Sequence, residues 1–169
     1  SGGSVDMLLD HAVDPTAPAV LVQTADISAM GSDGKGGSVH FVKDNFLSAG
    51  AINVSGTTSG GQISALASND LVSTSGAVYT ATGGTAAGGA ILVASGGNFY
   101  SSGSFQVQGA TGGNITLAGK DITLSAALLD ASGQNGGGVI HVGGMAHGAA
   151  GFSAQGVALK NSTTLSVSG

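Results

Sequence analysis

Gly88-Gly89-Ala90-Ile91-Leu92-Val93 is followed 24 residues later by Gly112-Gly113-Asn114-Ile115-Thr116-Leu117. Each stretch is a glycine pair, one residue, an aliphatic, one residue and a second apolar residue. The figure also stands at Gly2-Gly3, Gly36-Gly37, Gly60-Gly61 and Gly137-Gly138, with successive spacings of 34, 24, 28, 24 and 25 residues. The first apolar position reads Val5, Val39, Ile63, Ile91, Ile115, Ile140, and the second Met7, Phe41, Ala65, Val93, Leu117, Val142. Alternation of this kind marks a strand with one face buried.

Working outward, a second row aligns on Gly31, Gly56, Gly83, Gly109, Gly133 and Gly169. Four residues before these stand Ile27, Ile52, Tyr79, Phe105, Leu129 and Leu165, and two before stand Ala29, Val54, Ala81, Val107, Ala131 and Val167. Between them every residue is polar (Ser28, Asn53, Thr80, Gln106, Asp130, Ser166), as the solvent side of a strand should be. A third row contributes Phe46, Leu71, Phe99 and Ile122, each preceded by Asn45, Asp70, Asn98 or Asp121. Three short strands per repeat predict an all-β, parallel β-helix as one domain over 1–169. Its coils fall at about 2–35, 36–59, 60–87, 88–111, 112–136 and 137–169. Hairpins of a sandwich would not repeat one pattern six times with one polarity. Six coils at about 4.8 Å each make a rod about 29 Å long. Glycine this frequent opposes helix, which leaves only the two long repeats as places for any. The first of these carries an insertion with His11, Asp14, Pro15 and Pro18, and the last carries 143–151 and a further strand-like run after Gly156.

The composition narrows the function. There are 32 glycines but only 2 prolines in 169 residues, which excludes collagen, and a 41% hydrophobic content argues against disorder. No apolar run approaches the roughly 18 residues of a membrane helix. Arginine and glutamate are absent; nine Asp stand against four Lys, so a nucleic-acid partner is not expected. Without cysteine, neither disulfides nor thiolate metal sites hold the fold. The opening residues lack a signal peptide's basic and apolar regions, so an export signal is expected to be removed or to lie outside this segment.

The stretch Gly113-Asn114-Ile115-Thr116-Leu117-Ala118-Gly119-Lys120-Asp121-Ile122-Thr123-Leu124, with Leu128-Leu129-Asp130-Ala131-Ser132-Gly133 running on to Val139-Ile140-His141-Val142-Gly143-Gly144, resembles the repeat region of filamentous-haemagglutinin-like exoproteins, the bacterial two-partner-secretion adhesins. The likeness is best over 112–169 and looser before. It implies a right-handed parallel β-helix, secretion through an outer-membrane partner, and a place in a surface adhesin, stalk or biofilm matrix.

The remaining candidates are outward-facing polar residues. Asp6 and His40 are expected as stacked neighbours in a column reading Asp6, His40, Ser64, Leu92, Thr116, His141; an acid-base or metal pair there lacks a third ligand. Asp70 and Asp121, with Asn45 and Asn98, occupy the kind of column from which β-helical polysaccharide lyases and hydrolases build sites. The supporting cations and acid pairs are nearly absent, so these side chains are expected to bind backbone at corners. Ser32-Asp33-Gly34-Lys35-Gly36-Gly37 lacks the recurring nonapeptide of calcium-binding repeats, and no Gly-Lys-Ser/Thr follows the glycine runs to make a phosphate loop. No catalytic residue, metal or cofactor is therefore expected. The end Leu165–Gly169 and the start Ser1–Val5 join in the register of the internal junction from Val54 to Ile63. The expectation is a non-enzymatic, secreted structural or adhesive shaft that self-associates or continues along its axis, with a host surface or polysaccharide as possible ligand. The alternative is a carbohydrate-binding or carbohydrate-cleaving β-helix.

Overall fold

The computed structural model describes residues 2–8, 18–143 and 154–169. The first coil contains β1 (Ser4–Leu8), β2 (Val20–Gln23) and β3 (Ile27–Ser28); the second, β4 (Ser38–Lys43), β5 (Asn45–Ser48) and β6 (Ala51–Asn53). The third has β7 (Gln62–Ala67), β8 (Leu71–Ser73) and β9 (Val78–Thr80), and the fourth β10 (Ala90–Ser95), β11 (Asn98–Ser101) and β12 (Ser104–Gln106). β13 (Asn114–Ala118), β14 (Asp121–Ser125) and β15 (Leu128–Asp130) form the fifth; β16 (Val139–Val142), β17 (Gly156–Lys160) and β18 (Thr164–Ser166) form the sixth. Among the described residues there is no helix.

Each strand pairs in parallel with its counterparts in the coils above and below, giving three six-stranded sheets. Sheet A is β1-β4-β7-β10-β13-β16, sheet B runs from β2 to β17 through β5, β8, β11 and β14, and sheet C runs from β3 to β18 through β6, β9, β12 and β15. The chain is an all-β parallel β-solenoid with three strands per coil. Val5, Val39, Ile63, Ile91, Ile115 and Ile140 pair rung by rung in sheet A. Ile27, Ile52, Tyr79, Phe105, Leu129 and Leu165 do the same in sheet C. In sheet B the row Phe46, Leu71, Phe99, Ile122 extends to Leu21 at one end and Val157 at the other. The run after Gly156 is thus the ordinary sheet B strand of the sixth coil, not an addition to it.

These rows meet inside. From the second to the fifth coil the row members are at most 3% exposed, and Tyr79 stacks on Phe105 with ring centroids 4.8 Å apart and planes 2° apart. The sequence insertions join β1 to β2 and β16 to β17, both at the corner between sheets A and B. Of the insertion residues singled out above, Pro18 is exposed and Gly143 has φ +117°; His11, Asp14, Pro15 and 144–151 lie outside the described residues.

The corner from sheet C back to sheet A explains the glycine pairs. In five coils the second glycine's N–H donates to the carbonyl of the residue that opened the corner: Gly37 to Ala29, Gly61 to Val54, Gly89 to Ala81, Gly113 to Val107 and Gly138 to Ala131, at 2.6–2.8 Å. The first glycine's N–H instead reaches the next coil, as Gly60 does to Ala87 and Gly88 to Thr111. A Cβ on Gly88 would fall on the Val107 carbonyl oxygen and lie 2.8 Å from Gly113 N. Backbone packed directly on backbone leaves no room for a side chain.

Candidate functional site

Sheet A brings Asp6 and His40 together as register partners, and the column continues through Ser64, Leu92 and Thr116 to His141. Asp6 Oδ2 accepts from Ser4 Oγ at 3.1 Å, and Ser4 Oγ accepts from Ser38 Oγ at 3.2 Å. His141 stands four rungs from His40, about 19 Å away at the spacing of a parallel ladder. The column is open to solvent at its ends, where Asp6 and His141 are exposed, but not in the middle: Thr116 is 4% exposed and Leu92 half-buried. The neighbouring outward column has the same apolar centre, with Ala94 and Ala118 at 1% and 3%.

Asp70 and Asp121 lie on a different face, at the start of the sheet B strands. Asp70 N–H donates to Asn45 Oδ1 at 3.3 Å, and Asp70 Oδ1 accepts from the backbone N–H and the Nδ2 of Asn98 at 2.8 and 3.1 Å. Asn98 is the register partner of Asp121. Two more carboxylates serve the same purpose: Asp44 accepts from Ala19 N–H at 3.1 Å and Asp26 from Ala51 N–H at 2.9 Å, each one coil away. Side-chain oxygen that satisfies backbone N–H at a corner is doing structural chemistry.

Asp130, on sheet C, makes the densest set. Its carboxylate accepts from Ser132 N–H at 2.9 Å, Ser132 Oγ at 2.6 Å and Gln108 Nε2 at 2.7 Å. Burial pushes its pKa up, but these hydrogen bonds to the charged form outweigh it and hold the carboxyl below the ordinary range.

Sequence reasoning passed over a polar thread inside the rod. Two residues after the apolar row of sheet B, the inward position reads Gln23, Ser48, Ser73, Ser101 and then Leu124 and Leu159, all in register. The three serines are fully buried and Gln23 is 5% exposed. Ser48 Oγ donates to Gln23 Oε1 at 2.7 Å, Gln23 Nε2 donates to Ala25 O at 2.6 Å, and Ser73 Oγ shares a hydrogen bond of 2.8 Å with the Tyr79 hydroxyl. Burial drives the Tyr79 pKa up, with the serine hydrogen bonds countering in part. The period-two rule carried two residues further along β5, β8 and β11 would have found this thread. The same rule places Lys43 inward at the end of β4, where it is 5% exposed.

An open trench of about 870 Å³ runs along the sheet C to sheet A corner, floored by the glycine pairs and edged by Ser4, Ser38, Gln62 and Asn114. None of Asp6, His40, Asp70 or Asp121 lines it. Asp33 is exposed on the loop whose Ser32 and Gly34 carbonyls accept from Thr57 Oγ1 and Thr58 N–H, at 3.3 and 2.8 Å. Among the described residues no three His, Asp, Glu or Cys side chains gather as a metal site would require. No family model, curated protein or solved structure matches the chain.

Proposed function

We propose that this chain is a stretch of a secreted, non-enzymatic structural or adhesive shaft, serving a bacterial surface adhesin, an extracellular filament or a matrix, and continuing along its axis as further coils or further subunits. The observation that carries this reading is the apolar column, which runs unbroken through all six coils and stays open at the last. Val157, Leu159, Leu165 and Val167, whose register positions or equivalents are buried in the inner coils, are 42–52% exposed in the sixth. Edges of three sheets beside such a surface are templates for more strands. The competing carbohydrate-cleaving reading draws less support, because its four polar candidates are split between the outer faces of sheets A and B while the trench lies at the remaining corner. Electron microscopy of the purified chain, paired with a polysaccharide depolymerisation assay, tests the proposal. Rods that join end to end are expected. Turnover abolished by Asp121→Ala would replace the shaft with an enzyme.

A further inference from the structure

The three outer faces are unequal. Sheet A has an apolar outward column, Leu8, Val42, Leu66, Ala94 and Ala118, that is buried in the fourth and fifth coils, whereas Val22, Val72 and Tyr100 on sheet B stay exposed. On sheet C the outward column is Ser28, Asn53, Thr80, Gln106, Asp130, Ser166. On sheet B it is Val22, Leu47, Val72, Tyr100, Thr123, Ala158, one residue per coil in unbroken register. Val22, Val72 and Tyr100 are 54%, 36% and 42% exposed, so none of the described residues covers them fully. Over the first four coils the stripe is apolar, the composition that contact surfaces carry.

We infer that the outer face of sheet B pairs side by side with the same face of a second copy of this chain. This goes beyond the shaft reading, which concerns the rod's ends. The choice of partner rests on the flanks of the stripe. On one side stand Asn45, Asp70, Asn98 and Asp121; on the other, one residue past the inward Ser48, Ser73, Ser101 and Leu124, stand Ala49, Thr74, Ser102 and Ser125. A two-fold axis lays a face on itself in two ways. With the rods parallel, Asp70 meets Thr74 and Asp121 meets Ser125 of the copy. With the rods antiparallel, Asp70 meets Asn98, Asp121 meets Asn45, and Tyr100 meets Val72. In neither does a carboxylate face a carboxylate, although the chain carries a net charge of -5. Tyr100, near mid-rod, supplies the rigid aromatic that anchors contacts. The strip measures about 24 Å by 13 Å from strand spacing and residue rise, so pairing of six coils is weak and gains strength as coils are added.

The absence of cysteine allows a clean test. Tyr100→Cys alone, and mixed with Val72→Cys, is oxidised with copper phenanthroline and compared with Gln106→Cys, which lies in the same coil on the outer face of sheet C. One of the two sheet B samples should form covalent dimers at least about tenfold faster than Gln106→Cys, the first if rods are parallel and the second if antiparallel. Adding Leu47→Lys, or Val72→Lys to Tyr100→Cys if the former alters thermal unfolding, should return the rate to that of the control. Small-angle scattering separates this pairing from end-to-end joining, since pairing raises the cross-sectional radius and joining only the length. Equal cross-linking on sheets B and C, or indifference to both lysine variants, overturns the inference and leaves the axial reading untouched.

Discussion

The corner between sheets C and A and the corner between sheets A and B solve one problem by opposite means. Both must turn the chain while satisfying backbone groups that no strand pairs. The first does so by removing side chains: glycine N–H groups close the turn at 2.6–2.8 Å and backbone rests on backbone. The second adds side chains in the second and third coils, with Asp44, Asp70 and Asn45 reaching across to a neighbouring coil's N–H or accepting one from it, and turns to a glycine pair, Gly96-Gly97, in the fourth. The contact corner varies between seven residues (107–113) and nine (29–37 and 81–89), but each form ends in a glycine pair. The polar corner is shorter, and both of the chain's insertions enter there. In the inner coils its connection ranges from the single Asp44 to the three residues Ser68–Asp70.

The largest effect should come from breaking the contact corner. Gly88→Ala sets a methyl against the Val107 carbonyl and Gly113 N, where only backbone could yield, and is expected to cost about 3 kcal/mol or more. Gly136→Ala, in the same corner but with no atom within 4 Å of the new methyl, should be nearly neutral. Urea unfolding followed by circular dichroism compares them; equal midpoints would mean that glycine is there for some reason other than space.

Second in size is Tyr79→Phe, in the core beside that corner. It keeps the stack on Phe105 but strips the fully buried Ser73 hydroxyl of its partner, and about 1–2 kcal/mol should be lost. Tyr79→Phe with Ser73→Ala should recover part of this, because removing both partners leaves nothing unsatisfied. A double-mutant cycle that shows no coupling would make the polar thread incidental.

At the polar corner the expected losses shrink. Asp70→Ala removes both acceptor contacts to Asn98 in an exposed setting, for about 0.5–1 kcal/mol, and Asp70→Asn, which keeps an acceptor oxygen, should restore most of it. A loss as large as that of Gly88→Ala would erase the contrast between the corners.

Sequence patterns alone made the strand rows legible because each row is simple in kind: apolar inside, glycine where backbones touch. The six-coil count, the sheet A and C registers and the role of Asp70 in binding backbone follow from periodicity and turn chemistry. What stayed hidden was hidden for physical reasons. Ser48, Ser73 and Ser101 look like surface residues, and only the alternation that starts at Phe46, Leu71 and Phe99 turns them inward. Val22, Leu47, Val72 and Tyr100 carry the opposite signal: apolar residues on the outside of a strand read as noise until the register stacks them. The outer column of sheet C, by contrast, is polar throughout.

The smallest effect tests the comparison most finely, because Asp130 is a carboxylate placed at the opening of a glycine corner. It caps the turn through Ser132 while Gly138 closes it, so both devices act on one segment. Its folded-state pKa is below the ordinary carboxylate range, which fixes the sign: the contribution is fully present above the unfolded value of about 4, and is lost as pH falls through the lowered folded value. Asp130→Asn keeps the shape but turns an amide N–H toward one set of donors or the other, Gln108 Nε2 or the Ser132 N–H and hydroxyl. The stability gap between the two proteins should therefore be constant from neutral pH to about pH 5 and then close as the pH is lowered further. Because asparagine keeps one acceptor oxygen for part of this set, the gap should be smaller than that of Asp70→Ala. Urea midpoints across this range measure it. A gap that does not change with pH would show that the glycine contact alone holds the corner and that the carboxylate merely decorates it.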